Sequence, residues 1–555
     1  MMLAGARRTT WAAAVRGARA LSGSAKGPEH KQAILCILDG WGYNERMQYN
    51  AVLQANTPNF DKMWARAGQC GQQAFLQACE ENVGLPPGQI GNSEVGHMNL
   101  GAGRVVWQDI MTINNAIRDG ELSKKKALQD HIAALKESGG TSHVMGLVSP
   151  GGVHALDTHV AALANEVNKA GVPVVVHIWT DGRDCGPRDA ANDLPKFLES
   201  LDEGITIATV TGRFFSMDRD RRWERVGAAY DVIACGKGTA DPVDSPEAAI
   251  KQAHGQDVGD EFIEATVVGD YQGMKDGDGI LCANFRADRA REILTALADP
   301  EPPSELGFGS ERPERVKLAN MTGMVEYSTR HSEFMSNIIE EKEIDLPMGE
   351  VIAENGLRQM RIAESEKRPH VTFFFNGGRE EPFDNEDRIE IPSPKVKTYD
   401  LQPTMGTREI GEAVCEAIEK KDGDKPYYSF VLCNFAAPDM VGHTGSLEAA
   451  VTAVETCDEA LGKILESVKK SKGTIIVTAD HGNCETMVDP ETGGPHTAHT
   501  LNKVPVFIND YTGEERQYKI HSGALCDVSP TLLEILGIEQ PGPMTGKSLI
   551  DSTKV

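Results

Sequence analysis

The chain has no run approaching the roughly 18 consecutive apolar residues of a membrane-spanning helix, so no such helix is expected. It has no C-x-x-C pair. Its 11 cysteines are odd in number and scattered, which argues against a zinc ribbon or a disulfide framework and reads as reduced thiols. Positive charge is in deficit: 56 Lys and Arg stand against 82 Asp and Glu, a net charge of −26. A body this acidic repels nucleic acid, but a small anionic substrate needs only a local basic pocket. No period of about 20–50 residues recurs, so a solenoid is not expected. What is present is ordinary for a globular protein, with 40% hydrophobic and 25% charged residues. The 555 residues are about twice what one core serves, which points to two domains.

The first 28 residues depart from this acidic bulk. They contain Arg7, Arg8, Arg16, Arg19 and Lys26 and no acid. On a helix, Arg8, Arg16 and Arg19 form one stripe beside Trp11, Val15 and Ala18. Arg-rich, acid-poor and amphipathic composition is that of an organellar transit peptide. The mitochondrion is the first expectation, with plastid and cytoplasm as the alternatives.

From Lys31 onward, short apolar runs alternate with helical stretches. Runs at 33–38, 143–148, 174–179, 206–210, 280–283, 371–375, 429–433 and 474–477 each end in a polar or glycine-rich cluster. This pattern predicts buried parallel strands of an α/β protein. The stretch Leu447–Lys470, with no proline, predicts the clearest helix, and 299–313 reads as a surface loop. In such sheets ligands bind at the carboxyl ends of the strands. Those ends hold most of the clustered Asp, Arg and His.

Three polar groups carry chemistry. The first is of metal-ligand type: Asp39 after the first run, Asp439-x-x-x-His443, Asp480-His481, and His496 and His499 shortly after. Carboxylate and imidazole donors without thiolate suit Mn²⁺, Zn²⁺ or Mg²⁺. Any one of these residues alone reads better as a helix cap or a core histidine; together, at strand ends, they do not. The second is Gly91-Asn92-Ser93-Glu94-Val95-Gly96-His97, where Ser93 is either an N-cap or a nucleophile at a helix N-terminus that favours phosphate. The third is arginine: Arg183 with Asp184, Arg213, Arg219, Arg286 and Arg289. Their forks match carboxylate and phosphate and suggest a pocket for a small phosphorylated carboxylate. Arg221, Arg222 and Arg225 read as a solvated helix face. Metal-type residues lie before 100 and after 435, and the arginines lie between. The expected architecture is therefore a metal domain made from both ends of the chain (31–107 and 343–555), with a substrate domain (108–342) inserted.

The segments Leu38–Gly42, Gly91–His97, Gly151–His154, Asp181–Asp184, Thr211–Arg213, Met217–Arg219, Asn284–Arg286, Glu366-Lys367 with His370–Phe375, Pro438–His443, Asp480–Asn483 and Thr497–Thr500 make the chain resemble the cofactor-independent phosphoglycerate mutases of the alkaline phosphatase superfamily. The resemblance runs in order from about 31 to 550. It implies two divalent ions, Mn²⁺ ahead of Mg²⁺, one on Asp39, Ser93, Asp480 and His481 and one on Asp439, His443 and His499. It implies Ser93 as the phosphorylated nucleophile. His154, Arg183, Asp184, Arg213, Arg219, Arg286, Arg289 and Lys367 are implied to bind phosphoglycerate. It further implies a monomer that acts on a small molecule, with no nucleic-acid or membrane partner. Asp184 is the candidate proton shuttle. Ala155-Leu156 depart from the family pattern after His154, and His159 is placed outside the site. Arg188 adds a possible basic contact, and the loop 44–50 has no account at this level.

Three rival readings compete with this one. A phosphatase or phosphopentomutase would share the metal half but not the arginine segment. A pseudoenzyme should have lost a ligand or Ser93, and none is lost. A nucleic-acid protein is opposed by the charge.

Overall fold

A computed structural model of the protein describes residues 31–307, 315–340, 343–490, 492–513 and 518–551. The transit-like segment 1–28 and residues 308–313 of the expected surface loop lie outside these. The described chain divides into two compact units. One takes residues up to 83, 90–105 and those from 344 onward; the other takes 84–89 and 106–343. The second unit includes 84–89 because the Gln108 amide donates to the Gly84 carbonyl at 3.0 Å.

The first unit is built on an eight-stranded sheet. Its order is Glu386–Ile391, Gln359–Glu364, Phe430–Phe435, Ala33–Leu38, Thr474–Thr478, Val504–Asp510, Gln73–Gln77 and Gly523–Ala524. Ala33–Leu38 pairs in parallel with both Phe430–Phe435 and Thr474–Thr478. A strand from one end of the chain therefore lies between two from the other end. All six of its residues are buried, as a continuous apolar run in a covered parallel sheet requires. Val504–Asp510 runs antiparallel to its neighbours. Helix Leu447–Ser471 starts with the Ser446 side chain capping the Ala449 amide. It buries Ala450, Ala453, Val454, Cys457, Leu461, Ile464 and Val468, a stripe at helical spacing.

The second unit has a seven-stranded sheet in the order Thr266–Val267, Thr206–Gly212, Val174–Thr180, Ser142–Leu147, Gly279–Cys282, Asn320–Gly323 and Ser336–Asn337. Every pairing is parallel except that of the short edge strand Thr266–Val267. The 11 cysteines are all free thiols.

One expected strand is not a strand. Residues 371–375 lie in a π-helical turn, His370–Phe374, that follows Pro369. Val371 and Phe375 point into the core and Phe373 and Phe374 are half-buried, which is one-sided burial at helical spacing. A five-residue apolar run cannot distinguish strand from helix by periodicity. The strand of this region is Gln359–Glu364, whose polar residues hide it from a hydrophobicity reading.

The helix that begins at Ser93 packs by glycine. A methyl group on Gly96 would stand 2.9 Å from the Asp480 carbonyl oxygen, and one on Gly101 would stand 1.9 Å from that of Phe375. Gly101→Ala is therefore expected to destabilise the protein by about 1–3 kcal/mol or more. It should lower the urea midpoint at an unchanged slope. A wild-type midpoint would contradict this packing.

Candidate metal centre and arginine cluster

The metal-type residues of the first unit gather at the carboxyl ends of its central strands. Asp39 follows Ala33–Leu38, Asp480-His481 follow Thr474–Thr478, and Asp439 sits in the helix Ala437–Gly442 just after Phe430–Phe435. Asp439 Oδ1, His443 Nε2 and His499 Nε2 stand 3.2, 3.1 and 3.0 Å from one another. Each histidine turns its other nitrogen to a backbone carbonyl: His443 Nδ1 to Thr497 at 2.7 Å and His499 Nδ1 to Gly91 at 2.8 Å. With Nδ1–H donated outward, both Nε2 lone pairs and a carboxylate oxygen face one point. Donor atoms held about 2.1 Å from one ion lie roughly 3.0–3.4 Å apart, so this trio fits a divalent cation.

A second group adjoins it. His481 Nε2 is 2.9 Å from Ser93 Oγ, 3.4 Å from Asp39 Oδ1 and 3.6 Å from Asp480 Oδ2. Ser93 Oγ is 3.3 Å from Asp39 Oδ1. Asp480 Oδ2 is buried and accepts no hydrogen bond, an orphaned oxygen that a cation would satisfy. Ser93 is the first residue of the helix Ser93–Ala102, and the cap is the Asn92 side chain, which accepts from the Val95 amide. The capping reading of Ser93 therefore fails, and its hydroxyl is left to face the carboxylates. Gly91 and Gly96 give way to protein backbone here, not to ligand: the space beside Gly91 is taken by the Ala78 carbonyl.

Lys367 lies among these groups. Its Nζ is 2.6 Å from Ser93 Oγ, 3.0 Å from Asp39 Oδ1 and 2.7 Å from Asp439 Oδ2. Burial disfavours the ammonium, but Asp39 and Asp439 outweigh it and hold Lys367 charged. Burial would raise Asp439, yet the Lys367 ammonium keeps its carboxyl well below the usual range. Burial also works against Asp480, and His481 and His97 keep it ionised. Asp39 is pushed up, by burial first and then by Asp480. Three buried carboxylates thus face one ammonium, and the remaining negative charge calls for further cations.

Among the described residues, the triads of possible ligands within 4.8 Å are Asp439, His481, His499 and Asp39, His97, Asp480. His496 is in neither. His97 was not singled out from the sequence. Its Nδ1 is 2.9 Å from the Ser93 carbonyl and 3.2 Å from Asp480 Oδ2. Two amides also went unassigned: Asn434 donates to Asp39 Oδ2 at 2.7 Å and Asn483 to Asp439 Oδ1 at 2.9 Å. Both sit in the polar clusters after strands, but nothing in an asparagine's sequence position says which carboxylate it will orient.

In the second unit Arg183, Arg213, Arg219 and Arg289 line a cavity of about 400 Å³, with Asp218 and Glu261 among its other walls. Arg213 is buried and its Nη1 donates to Asp181 Oδ1 at 2.6 Å and to Asp184 Oδ2 at 2.5 Å. Arg219 and Arg286 both pair with Asp288, at 2.9 and 3.1 Å. Arg286 lines a separate cavity of about 530 Å³ with Gln89 and Glu326. His154 is buried 3.9 Å from Asp184 and 3.6 Å from Asp288. Burial, then Arg213, pushes its pKa down to about 4, so the ring is neutral at pH 7. Asp181 had no role in its motif and Asp288 was not singled out from the sequence; both orient the arginines. His159 is a core histidine bonded to Asn114 at 2.7 Å. Arg188 pairs with Asp257 and does not line the arginine cavity. Arg225 is not a solvated face residue: its guanidinium lies 3.7 Å over the Phe214 ring and pairs with Asp218.

The loop 44–50 also acquires an account. Asn50 donates to the Asn44 carbonyl and caps the short helix Ala51–Gln54. Tyr49, with φ of 59°, presents its carbonyl to the Met487 amide at 2.8 Å. The loop is thus tied to the segment that follows Asp480-His481.

An α/β sheet with carboxylates, imidazoles and a serine at its central strand ends defines a metal-dependent enzyme. In agreement, the family model described as "Metalloenzyme superfamily" matches residues 31–540. A 2,3-bisphosphoglycerate-independent phosphoglycerate mutase of Gluconobacter oxydans is 51% identical over 522 residues, 94% of this chain and 98% of that one. The enzyme so named from Rhodopseudomonas palustris is 51% identical over 520 residues, 94% and 99% of the two chains. The crystal structure of Leishmania mexicana phosphoglycerate mutase at low cobalt concentration is 31% identical with a TM-score of 0.54, covering 95% of this chain and 98% of that one. The chain belongs to the 2,3-bisphosphoglycerate-independent phosphoglycerate mutase family. It is accordingly an isomerase, an intramolecular phosphotransferase.

Divalent metal should stabilise the first unit. Mn²⁺ at about 100 times its Kd adds roughly 2.7 kcal/mol, a rise of about 5 °C or more in apparent Tm. Chelator should reverse it and Asp439→Asn should abolish most of it. A Tm indifferent to metal would contradict the reading of these donors.

Proposed function

We propose that the chain interconverts 3-phosphoglycerate and 2-phosphoglycerate without 2,3-bisphosphoglycerate, through a phosphoserine on Ser93. The observation that carries this reading is the position of Ser93 Oγ, at a helix N-terminus and within 2.6–2.9 Å of Lys367 Nζ and His481 Nε2. A helix N-terminus favours a phosphoryl group, and Lys367 offers a fixed positive charge to its oxygens.

In this reading residues 31–107 and 343–555 form the metal and nucleophile domain and 108–342 the substrate-binding domain. Asp39, Ser93, Asp480 and His481 would hold one ion and Asp439, His443 and His499 the other. Carboxylate and imidazole donors without thiolate suit Mn²⁺, Zn²⁺ or Mg²⁺, and the family resemblance supports Mn²⁺, then Mg²⁺. Such ions, when bound, lower the pKa of the serine hydroxyl and offset phosphoryl charge. Ser93 Oγ passes its proton to Asp39 Oδ1, to which it already donates at 3.3 Å, and forms the new bond to phosphorus as the bond to the glycerate oxygen breaks, with Asp184 entering the step protonated. Asp184 gives that oxygen its proton and takes one from the other hydroxyl when the phosphoryl group returns. Arg183, Arg213, Arg219, Arg286 and Arg289 hold carboxylate and phosphate as forks, and Arg213 is already fixed by Asp181 and Asp184. His154, neutral at pH 7, contributes a hydrogen bond without competing for the anion's charge.

The resemblance supports a monomer acting on small molecules alone. The composition of residues 1–28 supports a mitochondrial leader. A fluorescent reporter carrying these residues should enter mitochondria; diffuse fluorescence would reject the leader.

The purified protein, chelated and reloaded with Mn²⁺, is expected to form 2-phosphoglycerate from 3-phosphoglycerate without added bisphosphoglycerate. Ser93→Ala should abolish this, and Asp184→Asn should lower kcat by about 10²–10⁴-fold. Release of free phosphate would mark a phosphatase instead. Full turnover by Asp184→Asn would remove Asp184 from the proton path.

A further inference from the structure

Residues 217–222 form a strap between the short helix Arg213–Ser216 and the helix Trp223–Cys235. The strap carries Arg219, which lines the arginine cavity. Among the described residues Arg219 is anchored by Asp288, and its side chain is 46% exposed. Its direction therefore depends on the backbone beneath it.

That backbone hangs from two carboxyl groups. Asp218, nearly fully buried, accepts the amides of Asp220 at 2.9 Å and Arg222 at 3.0 Å through Oδ1. Glu292, on the helix Arg291–Ala298, accepts the Arg221 amide at 3.0 Å through Oε1. Arg221 is in the left-handed region, with φ of 57°, a conformation costly for a residue with a side chain. The Glu292 bond is what holds it there. Met217 at the head of the strap is tied by its carbonyl to Arg289 at 3.2 Å. Glu292 Oε2 is buried with no hydrogen-bond donor.

We propose that Glu292 is a positioning residue: by accepting the Arg221 amide it holds the 217–222 strap with Arg219 directed into the cavity. This rests on the reading that Arg219 binds the substrate anion. Burial, Asp218 and Asp220 push Glu292 up to about 7, against the lowering effect of the Arg221 amide. Arg225 faces Asp218 from its helix, bonded to its Oδ2 at 3.3 Å.

The test uses the full chain with Mn²⁺ and the variants Glu292→Ala, Glu292→Gln, Arg219→Ala and the Glu292→Ala/Arg219→Ala double. Glu292→Ala should raise KM about tenfold with kcat little changed, as expected for loss of one charge-assisted contact. In the double variant KM should match that of Arg219→Ala alone. Glu292→Gln, whose Oε1 still accepts the Arg221 amide, should keep a near wild-type KM. Tryptic cleavage after Arg219, Arg221 or Arg222 should be about tenfold faster in Glu292→Ala, a readout that needs no activity. If Arg219→Ala raises KM and Glu292→Ala does not, the positioning role is overturned. Multiplying effects in the double variant, or a Glu292→Gln KM as high as that of Glu292→Ala, overturn it too. If Arg219→Ala leaves KM unchanged, the substrate role of Arg219 fails, and this proposal with it.

Discussion

The first unit depends on one electrostatic problem: Asp39, Asp439 and Asp480 are buried together at the ends of adjacent strands. Burying charge without compensation is among the costliest things a fold can do. Lys367 compensates part of it, and divalent cations suit the rest. The surroundings follow from this. Asn434 and Asn483 turn an N–H to each of two carboxylates. His443 and His499 are fixed in one tautomer by backbone carbonyls, so their free nitrogens face Asp439. Glycines at 91 and 96 let the Ser93 helix come close enough for its hydroxyl to join.

The second unit solves the opposite problem, a positive cavity in a chain of net charge −26. Its arginines do not stand alone. Arg213 is held by Asp181 and Asp184, and Arg219 and Arg286 by Asp288. Each carboxylate fixes a guanidinium in place and lessens repulsion among the arginines. A fork held in advance loses less side-chain freedom when an anion binds.

Much of this was readable in the sequence because the chemistry sits where parallel strands end. Seven of the eight apolar runs taken for strands overlap observed strands, each at nearly the expected residues. The eighth, 371–375, is a helical turn, because a short aromatic run satisfies either geometry and only packing decides. The strand Gln359–Glu364 was hidden because it carries Arg361, buried between the Phe375 and Phe430 rings. The loop 44–50 was opaque because its bonds go to residues 484–487, more than 400 positions away.

By itself the sequence determined the alternation of strands and helices, the residue types able to bind metal and phosphate, and the family resemblance. These are local properties, set by hydrophobic period and by the chemistry of single side chains. Tertiary structure alone decided that Lys367 lies against Ser93 and both Asp39 and Asp439. It also decided that His97 joins Ser93 and Asp480, and that Asp288 serves two arginines. Those are contacts between side chains distant in the chain or turned by their own packing, and no periodicity encodes them. Distance and burial, not residue identity, give a carboxylate its partner and its charge.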